Sequence, residues 1–333
     1  MKQLNVGVLG ATDAVGQEML KILAERDFPV KSLRPLASAR SAGKTILYKG
    51  EPVPIVEAKE DAFKGLDLVL GAAENDIAQR FAPYIKDAGA VFVDNSSAFR
   101  LKEDVPLIIP EINPEDAKWH KGIIANPNCT TIVTLVAVAP LAKASPIETM
   151  VASSSQAVSG AGLAGMKELT EEIAAGLKGE AYEPKAFAHP IAYNVIPQIG
   201  SEQYLGYTSE EMKMQNEGRK ILHLPETQDS CTCVRVPVLR SHSVSVVLRT
   251  REKISVDRAR ELIAAAPGCK LVDDLKNKVY PMPLDTSDQD IVFVGRIRED
   301  LTSPNGLNLW CCGDQIRKGA ATNTVQIAEL LVN

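Results

Sequence analysis

The chain has 333 residues, of which 45% are hydrophobic and 24% charged, with a formal net charge of −5 and six cysteines. Its length predicts about two domains with a sizeable core. The mild acidity and scattered Lys and Arg exclude a nucleic-acid stripe or a basic membrane-binding face, and no apolar run reaches the length of a membrane span.

The opening stretch "MKQLNVGVLGA" runs straight into strand-like sequence and has none of the parts of a signal peptide, so a cytoplasmic protein with reduced thiols is expected. Asn5–Gly10 is a short apolar run ending in glycine, the pattern of a buried parallel strand. Apolar residues at helical spacing follow over Val15–Arg26, then a second strand over Val30–Ala37. Residues 66–73 and 90–97 give two more strands, with a helix over Ile77–Asp87 between them. Strand and helix alternating with short connections predict a parallel, doubly wound α/β sheet of Rossmann type.

The middle of the chain differs. Residues 150–162 read as a strand entering a turn of small residues, followed by a helix near Leu163–Leu177. Residues 179–200, rich in Pro and aromatics, read as irregular, and a helix follows over Ser209–Ile221. Thr232–Leu239, Ser243–Arg249 and Ile291–Ile297 alternate as strands of an antiparallel sheet with one face covered. An amphipathic helix over Ala320–Leu331 closes the chain in the style of the first domain. The expected organisation is a nucleotide-binding domain from residues 1–129 and 314–333, with an α+β domain, its sheet mostly antiparallel, inserted over residues 130–313.

"GVLGATDAVGQEML" (7–20) lies between the first strand and the first helix, where glycines let a pyrophosphate approach and the helix N-terminus offers N–H groups. A ligand-free βα turn accounts for the same glycines. Asp13 stands where a third glycine is expected, and Asp tolerates positive φ better than most residues. The second strand ends in "LASARSAGK" (36–44), without the acid that holds an NAD ribose. Ser38, Arg40 and Ser41 there suit a 2′-phosphate and favour NADP; a solvated basic loop is the other reading.

Cys129 follows Asn126-Pro127-Asn128 and opens a run that looks like a helix start, where the dipole favours thiolate. Cys231, Cys233, Cys269, Cys311 and Cys312 read as packing; their spacing fits no zinc template, so no metal is expected. A nucleophile needs a base, and His242 lies at a turn between two strands, after Arg235 and Arg240. By itself it reads equally as a catalytic base or as a surface turn residue.

The stretches "GATDAVG", "DNSSAFR", "PEIN", "NPNCTT", "SSSQAVSGAG", "EEMKMQNEGRKI", "RVPVLRSHS" and "DQIRKGAATNTVQIAE" together resemble aspartate-β-semialdehyde dehydrogenase, in the family's order and from end to end. The resemblance implies that Cys129 attacks the acyl carbon of L-4-aspartyl phosphate, displacing phosphate to give a thioester. NADPH then delivers hydride, and the thiohemiacetal collapses to L-aspartate 4-semialdehyde. It implies His242 as the acid/base, Gln156 orienting substrate, and Asn128 positioning the acyl oxygen. Arg235 takes the substrate carboxylate, Glu210 the amine, and Arg100 and Lys213 the phosphate. The cofactor set is Gly10, Thr12, Asp13, Ala14, Val15, Ser38, Arg40 and Ser41, with Ser159 and Gly160 beside the nicotinamide and Gln315 near the end. Asp13 replaces the usual Gly of "GATG", and Gln315 stands where Asn is common. A homodimer or homotetramer is implied, serving biosynthesis of lysine by way of diaminopimelate, and of threonine, methionine and isoleucine.

N-acetyl-γ-glutamyl-phosphate reductase shares the fold and the cysteine position, but "PNCTT", "SSSQAVSGAG" and "RVPVLRSHS" match the aspartate enzyme better. A catalytically dead NADPH-binding paralogue would lack Cys129, His242 or Arg235, and all three are present.

Overall fold

The structure, a computed structural model, describes residues 2–332. It divides into two compact units, Met1–Asn128 with Ala320–Asn333, and Cys129–Gly319.

The first unit begins with β1 (Leu4–Leu9), α1 (Ala14–Glu25) and β2 (Val30–Ala37). A short antiparallel hairpin, β3 (Thr45–Tyr48) and β4 (Glu51–Pro54), then leads to β5 (Val56–Glu57). β6 (Leu68–Gly71), α2 (Asn75–Asp87), β7 (Val91–Asp94) and β8 (Ile123–Ala125) complete its first segment. Six of these strands form one sheet in the order β5-β2-β1-β6-β7-β8, and each pairing in it is parallel. The order reverses direction at β1, which is the doubly wound pattern of a Rossmann-type fold and puts a crevice at the carboxyl ends of β1 and β6. β1 is buried on both faces because helices cover both sides of such a sheet. Met19, Ile22 and Leu23 of α1 pack on it, and so do Val325 and Ile327 near the chain's end.

The second unit runs α3 (Cys129–Ala144), β9 (Ile147–Gln156), α4 (Gly162–Lys178), β10 (Glu202–Tyr204), β11 (Tyr207–Thr208), α5 (Ser209–Leu222), β12 (Gln228–Arg235) and β13 (His242–Thr250). It continues through α6 (Val256–Ala265), β14 (Cys269–Leu271), α7 (Pro283–Thr286), β15 (Val292–Glu299) and β16 (Gly306–Gly313). Its main sheet has the order β12-β9-β13-β16-β15-β14. The three central pairings are antiparallel, whereas β12 runs parallel to β9 and β14 parallel to β15, so the sheet is mixed. α3 is apolar on nearly every face and buried along most of its length, packing on β9, β13, β15 and β16. α5 starts on a full capping box, in which the Thr208 hydroxyl accepts from the Glu211 amide and Glu211 reaches back to the Thr208 N–H.

Three expectations change. β12 stops at Arg235 instead of running to Leu239, because Pro237 has no N–H to continue a ladder. β16, unread in the sequence, lies between β13 and β15. The final helix is shorter than expected: a π-helical turn over Arg317–Ala321 precedes α8 (Thr322–Glu329). α8 returns to the first unit, where Glu329 receives two hydrogen bonds of 2.7 Å from the Arg26 guanidinium below α1.

Candidate active site

β9 and β12 run in the same direction and end together, with Gln156 and Arg235 as register partners. β13 runs the opposite way, so its first residue, His242, lies at that same end of the sheet. The left-handed turn at Ser241 (φ 74°) swings the chain into β13. α3 brings its first residue to the same place: the Cys129 Sγ lies 3.5 Å from His242 Nε2. Two parallel strands, one antiparallel strand and one helix N-terminus thus gather four residues that are far apart in sequence.

His242 is fully buried. Its Nδ1 accepts a hydrogen bond of 3.1 Å from the Ala157 N–H. Burial, and after it the Arg235 charge, lower the imidazole pKa to about 3. Arg235 is buried too, with Nη1 donating to the Ala157 carbonyl at 2.7 Å and its guanidinium over the Phe187 ring. Burial pulls the Arg235 pKa down, against the opposing pull of Cys129 and Glu210. From α5, Glu210 accepts from Gln156 Nε2 at 3.4 Å and from Lys213 at 2.8 Å. Gln156 also donates to the Ser154 hydroxyl.

A 3-10 turn over Val158–Ala161 follows β9 and carries Ser159 and Gly160. A Cβ at Gly160 would lie 2.6 Å from Arg235 Nη1 and 3.3 Å from His242 Cε1, so only glycine fits without moving the Arg235 guanidinium or the His242 ring. Gln315 ties this turn to the His242 turn: its amide donates to the Ser159 hydroxyl, and its carbonyl accepts from the Ser241 N–H at 3.0 Å. The second unit therefore holds Cys129, His242, Gln156, Arg235, Glu210, Lys213, Ser159, Gly160 and Gln315.

Asn128 and Arg100 belong to the first unit. Asn128 is buried. Arg100 is buried as well, with Nε and Nη2 donating to the Asn126 and Asn95 carbonyls and so supporting the "NPN" segment.

The remaining candidates surround the crevice of the first sheet. A cavity of about 740 Å³ is lined by Gly10, Thr12, Asp13, Ser38, Arg40 and Ser41 among others. Ala14 and Val15 open α1 beside it. Gly10 has φ +81°, and a Cβ there would press on the Ala72–Ala73 peptide; a Cβ at Gly16 would strike the Gly10 carbonyl. These are the close approaches that a dinucleotide turn needs, and they fit a pyrophosphate at the α1 N-terminus. Asp13 has φ −81°, so the position requires no glycine, and its side chain does not cap the helix. Desolvation and the Glu74 carboxylate raise its pKa. β2 ends without an acid, but β5 sets Glu57 opposite Ala37, and Glu57 lines the same cavity with Lys44 and Lys59.

Sequence reasoning missed Ala157, Phe187, Glu57 and Gly319. Gly319 abuts the nucleophile candidate: a Cβ there would lie 3.1 Å from the Cys129 Cβ. Its only trace in the sequence is the small-residue run "KGAA". Cys129 is half-buried, whereas the other five cysteines are buried. Burial raises the Cys311 and Cys312 thiols, and a hydrogen bond with Cys233 together with burial raises Cys231. Among the described residues, no group of three or more His, Cys, Asp or Glu is arranged to hold a metal, and no helix is long and apolar enough to cross a membrane.

Comparison with known proteins matches two family models, the NAD-binding domain of semialdehyde dehydrogenase over residues 5–120 and its dimerisation domain over residues 138–318. An aspartate-semialdehyde dehydrogenase of Synechocystis is 51% identical, covering 99% of this chain and 97% of its own. The Bacillus subtilis protein of that name is 45% identical over 98% and 97%. The crystal structure of aspartate semialdehyde dehydrogenase II from Vibrio cholerae, complexed with ASA, superposes with a TM-score of 0.97 at 42% identity, covering 100% of this chain and 99% of that one. With its two domains, its thiol–imidazole pair and these relatives, the chain belongs to the aspartate-semialdehyde dehydrogenase family.

Proposed function

We propose that this enzyme carries out the NADP-dependent reductive dephosphorylation of L-4-aspartyl phosphate to L-aspartate 4-semialdehyde through a thioester on Cys129. The observation that carries this reading is the Cys129 Sγ 3.5 Å from His242 Nε2, at the N-terminus of a helix and near the Arg235 guanidinium. A helix N-terminus and a nearby cation both favour a thiolate, which is at once a good nucleophile and a good leaving group.

The Cys129 sulfur attacks the acyl carbon and phosphate leaves. Gln156 orients the acyl group, Asn128 helps to position its oxygen, and His242 is the imidazole partner of the sulfur. The planar fork of Arg235 takes the substrate carboxylate and Glu210 its ammonium. Lys213 and Arg100 act on the phosphate. When bound, NADP(H) supplies or accepts the hydride. Gly10, Thr12, Asp13, Ala14 and Val15 would hold its pyrophosphate, Ser38, Arg40 and Ser41 its 2′-phosphate, and Ser159, Gly160 and Gln315 its nicotinamide end. The crystal structure of aspartate semialdehyde dehydrogenase with NADP from Candida albicans has the same fold, at TM-score 0.75 and 26% identity, which supports NADP here.

The first unit then serves as the cofactor domain and Cys129–Gly319 as the catalytic and dimerisation domain, a few residues from the expected bounds of 1–129 with 314–333 and 130–313, in a cytoplasmic homodimer or homotetramer. The product feeds biosynthesis of lysine by way of diaminopimelate, and of threonine, methionine and isoleucine. Purified protein given aspartate semialdehyde, phosphate and NADP is expected to generate NADPH absorbance. Turnover with N-acetylglutamate semialdehyde and none with aspartate semialdehyde would replace this reading with the glutamate-series reductase.

A further inference from the structure

One peptide unit organises both nitrogen-bearing partners of Cys129. The Ala157 N–H donates to His242 Nδ1 at 3.1 Å, and the Ala157 carbonyl accepts from Arg235 Nη1 at 2.7 Å. A main-chain N–H can only donate, so the ring nitrogen facing it must present its lone pair. A neutral imidazole has one such nitrogen, and the other carries the proton. That other nitrogen is Nε2, which faces the Cys129 sulfur.

We propose that the Ala157 amide fixes His242 as the neutral Nε2–H tautomer, so that the ring is a hydrogen-bond donor to the Cys129 sulfur and the thiolate forms without an imidazolium partner. This rests on the reading of Cys129 and His242 above, and it narrows the imidazole's part. A ring already protonated at Nε2 has no lone pair toward the sulfur and does not take up the thiol proton. Taking a proton at Nδ1 would set two N–H groups head to head inside a site where the ring is fully buried. The thiol proton therefore leaves to solvent. The thiolate is held by the Nε2–H, the α3 N-terminus and Arg235.

Three groups that ionise face the ring: Cys129 from α3, Arg235 from β12 and Glu210 from α5. Arg235 opposes a second positive charge and Glu210 favours one; burial acts with Arg235, and the neutral form results. The same Nε2–H is placed to meet negative charge as it develops on the acyl oxygen, as a neutral imidazole can. Ala157 is a positioning residue, acting through His242 and Arg235.

Nitrogen-15 NMR on the full-length protein labelled at histidine tests this, with His242→Asn, or His242→Gln should that variant not fold, assigning the signal. The expected pattern is a protonated Nε2 and an unprotonated Nδ1 that persists from about pH 5 to about pH 9, a range across which an ordinary histidine titrates. An imidazolium pattern, or a proton on Nδ1, overturns the proposal. Independently, the rate at which iodoacetamide alkylates the Cys129 peptide should follow a single ionisation. Two ionisations bracketing a plateau would mark a thiolate–imidazolium pair and overturn it. Full activity in Cys129→Ala would instead overturn the reading of the site and leave the tautomer standing.

Discussion

Gln156 and Arg235 are direct neighbours across two parallel strands, each the last residue of its strand. The pairing fixes the spacing between the amide that turns toward Glu210 and the guanidinium held by Ala157. Arg235→Lys keeps a positive charge but loses the fork. It is expected to raise KM for aspartate semialdehyde on the order of 30-fold, equivalent to about 2 kcal/mol, with a smaller effect on kcat. Steady-state kinetics decide it; an unchanged KM would remove Arg235 from carboxylate binding.

Cys129→Ala should lower turnover by at least about 10³-fold while NADP still binds, because the variant removes the atom proposed to carry the acyl group and leaves the cavity of the first unit intact. Nucleotide binding measured by calorimetry or fluorescence separates this from misfolding.

The two glycines that touch the site should be intolerant of a methyl group. Gly319→Ala presses on the Cys129 Cβ, and Gly160→Ala on Arg235 and His242. Each is expected to reduce kcat by roughly tenfold or more, the consequence of moving a reacting group by less than an ångström. Circular dichroism should stay native, and a fully active Gly160→Ala would show that the turn yields more easily than its geometry implies.

Arg40 faces a cavity that also holds Lys44, Lys59 and Glu57. Arg40→Ala is expected to raise KM for NADP by roughly tenfold, about 1.4 kcal/mol, and to leave KM for NAD nearly unchanged. Glu57→Gln should shift the ratio further toward NADP by removing a negative charge from the same wall. Rates with both nucleotides test each variant, and a preference for NAD in the unaltered enzyme would refute the assignment to Arg40.

Two buried groups give stability opposite slopes with pH. Asp229 has a side-chain oxygen buried without a hydrogen-bond partner, and desolvation raises its pKa to about 7. Between the ordinary carboxylate range and pH 7 the folded state binds the extra proton, so this contribution is lost as pH rises through that window. Asp229→Asn should therefore stabilise the protein by up to about 4 kcal/mol at pH 8 and hardly at all at pH 4. His242, with its pKa lowered to about 3, works the other way: the unfolded chain binds a proton that the folded ring refuses. Its contribution is lost as pH falls from about 6.5 toward 3. Calorimetric melting of the unaltered protein, Asp229→Asn and His242→Asn across pH measures the two slopes.

How much was legible in the sequence depends on the range of the interaction. α1, β2 and α5 were readable because apolar spacing is local: Met19, Ile22 and Leu23 mark one helix, and Ser209–Ile221 was read as another, within one residue of its observed end. Cys129 at a helix N-terminus was readable for the same reason. That His242 is buried beside it was not, since this follows from β9 and β13 running antiparallel. It was the resemblance of eight short stretches that brought those residues together on paper. Ala157 stayed invisible because its contribution is a peptide N–H and carbonyl, which any residue but proline possesses. Glu57 was missed because it reaches the cavity from β5, about twenty residues beyond the strand end where an acid was sought. The hairpin of β3 and β4 was not anticipated; Pro52 and Pro54 in β4 interrupt the pattern by which a strand is recognised.

Gly319 and Cys129 have a consequence for how such proteins recombine. They are the last and first residues of the second unit, and they lie side by side. A domain whose two ends meet can be spliced into a host chain without prising the host open. Here the splice falls at the proposed nucleophile itself, so an exchange of this domain between relatives is expected to succeed only if both ends travel together. A junction placed a few residues inside the second end would keep the unit's thiol and lose the neighbour that leaves it room; one inside the first end would do the reverse.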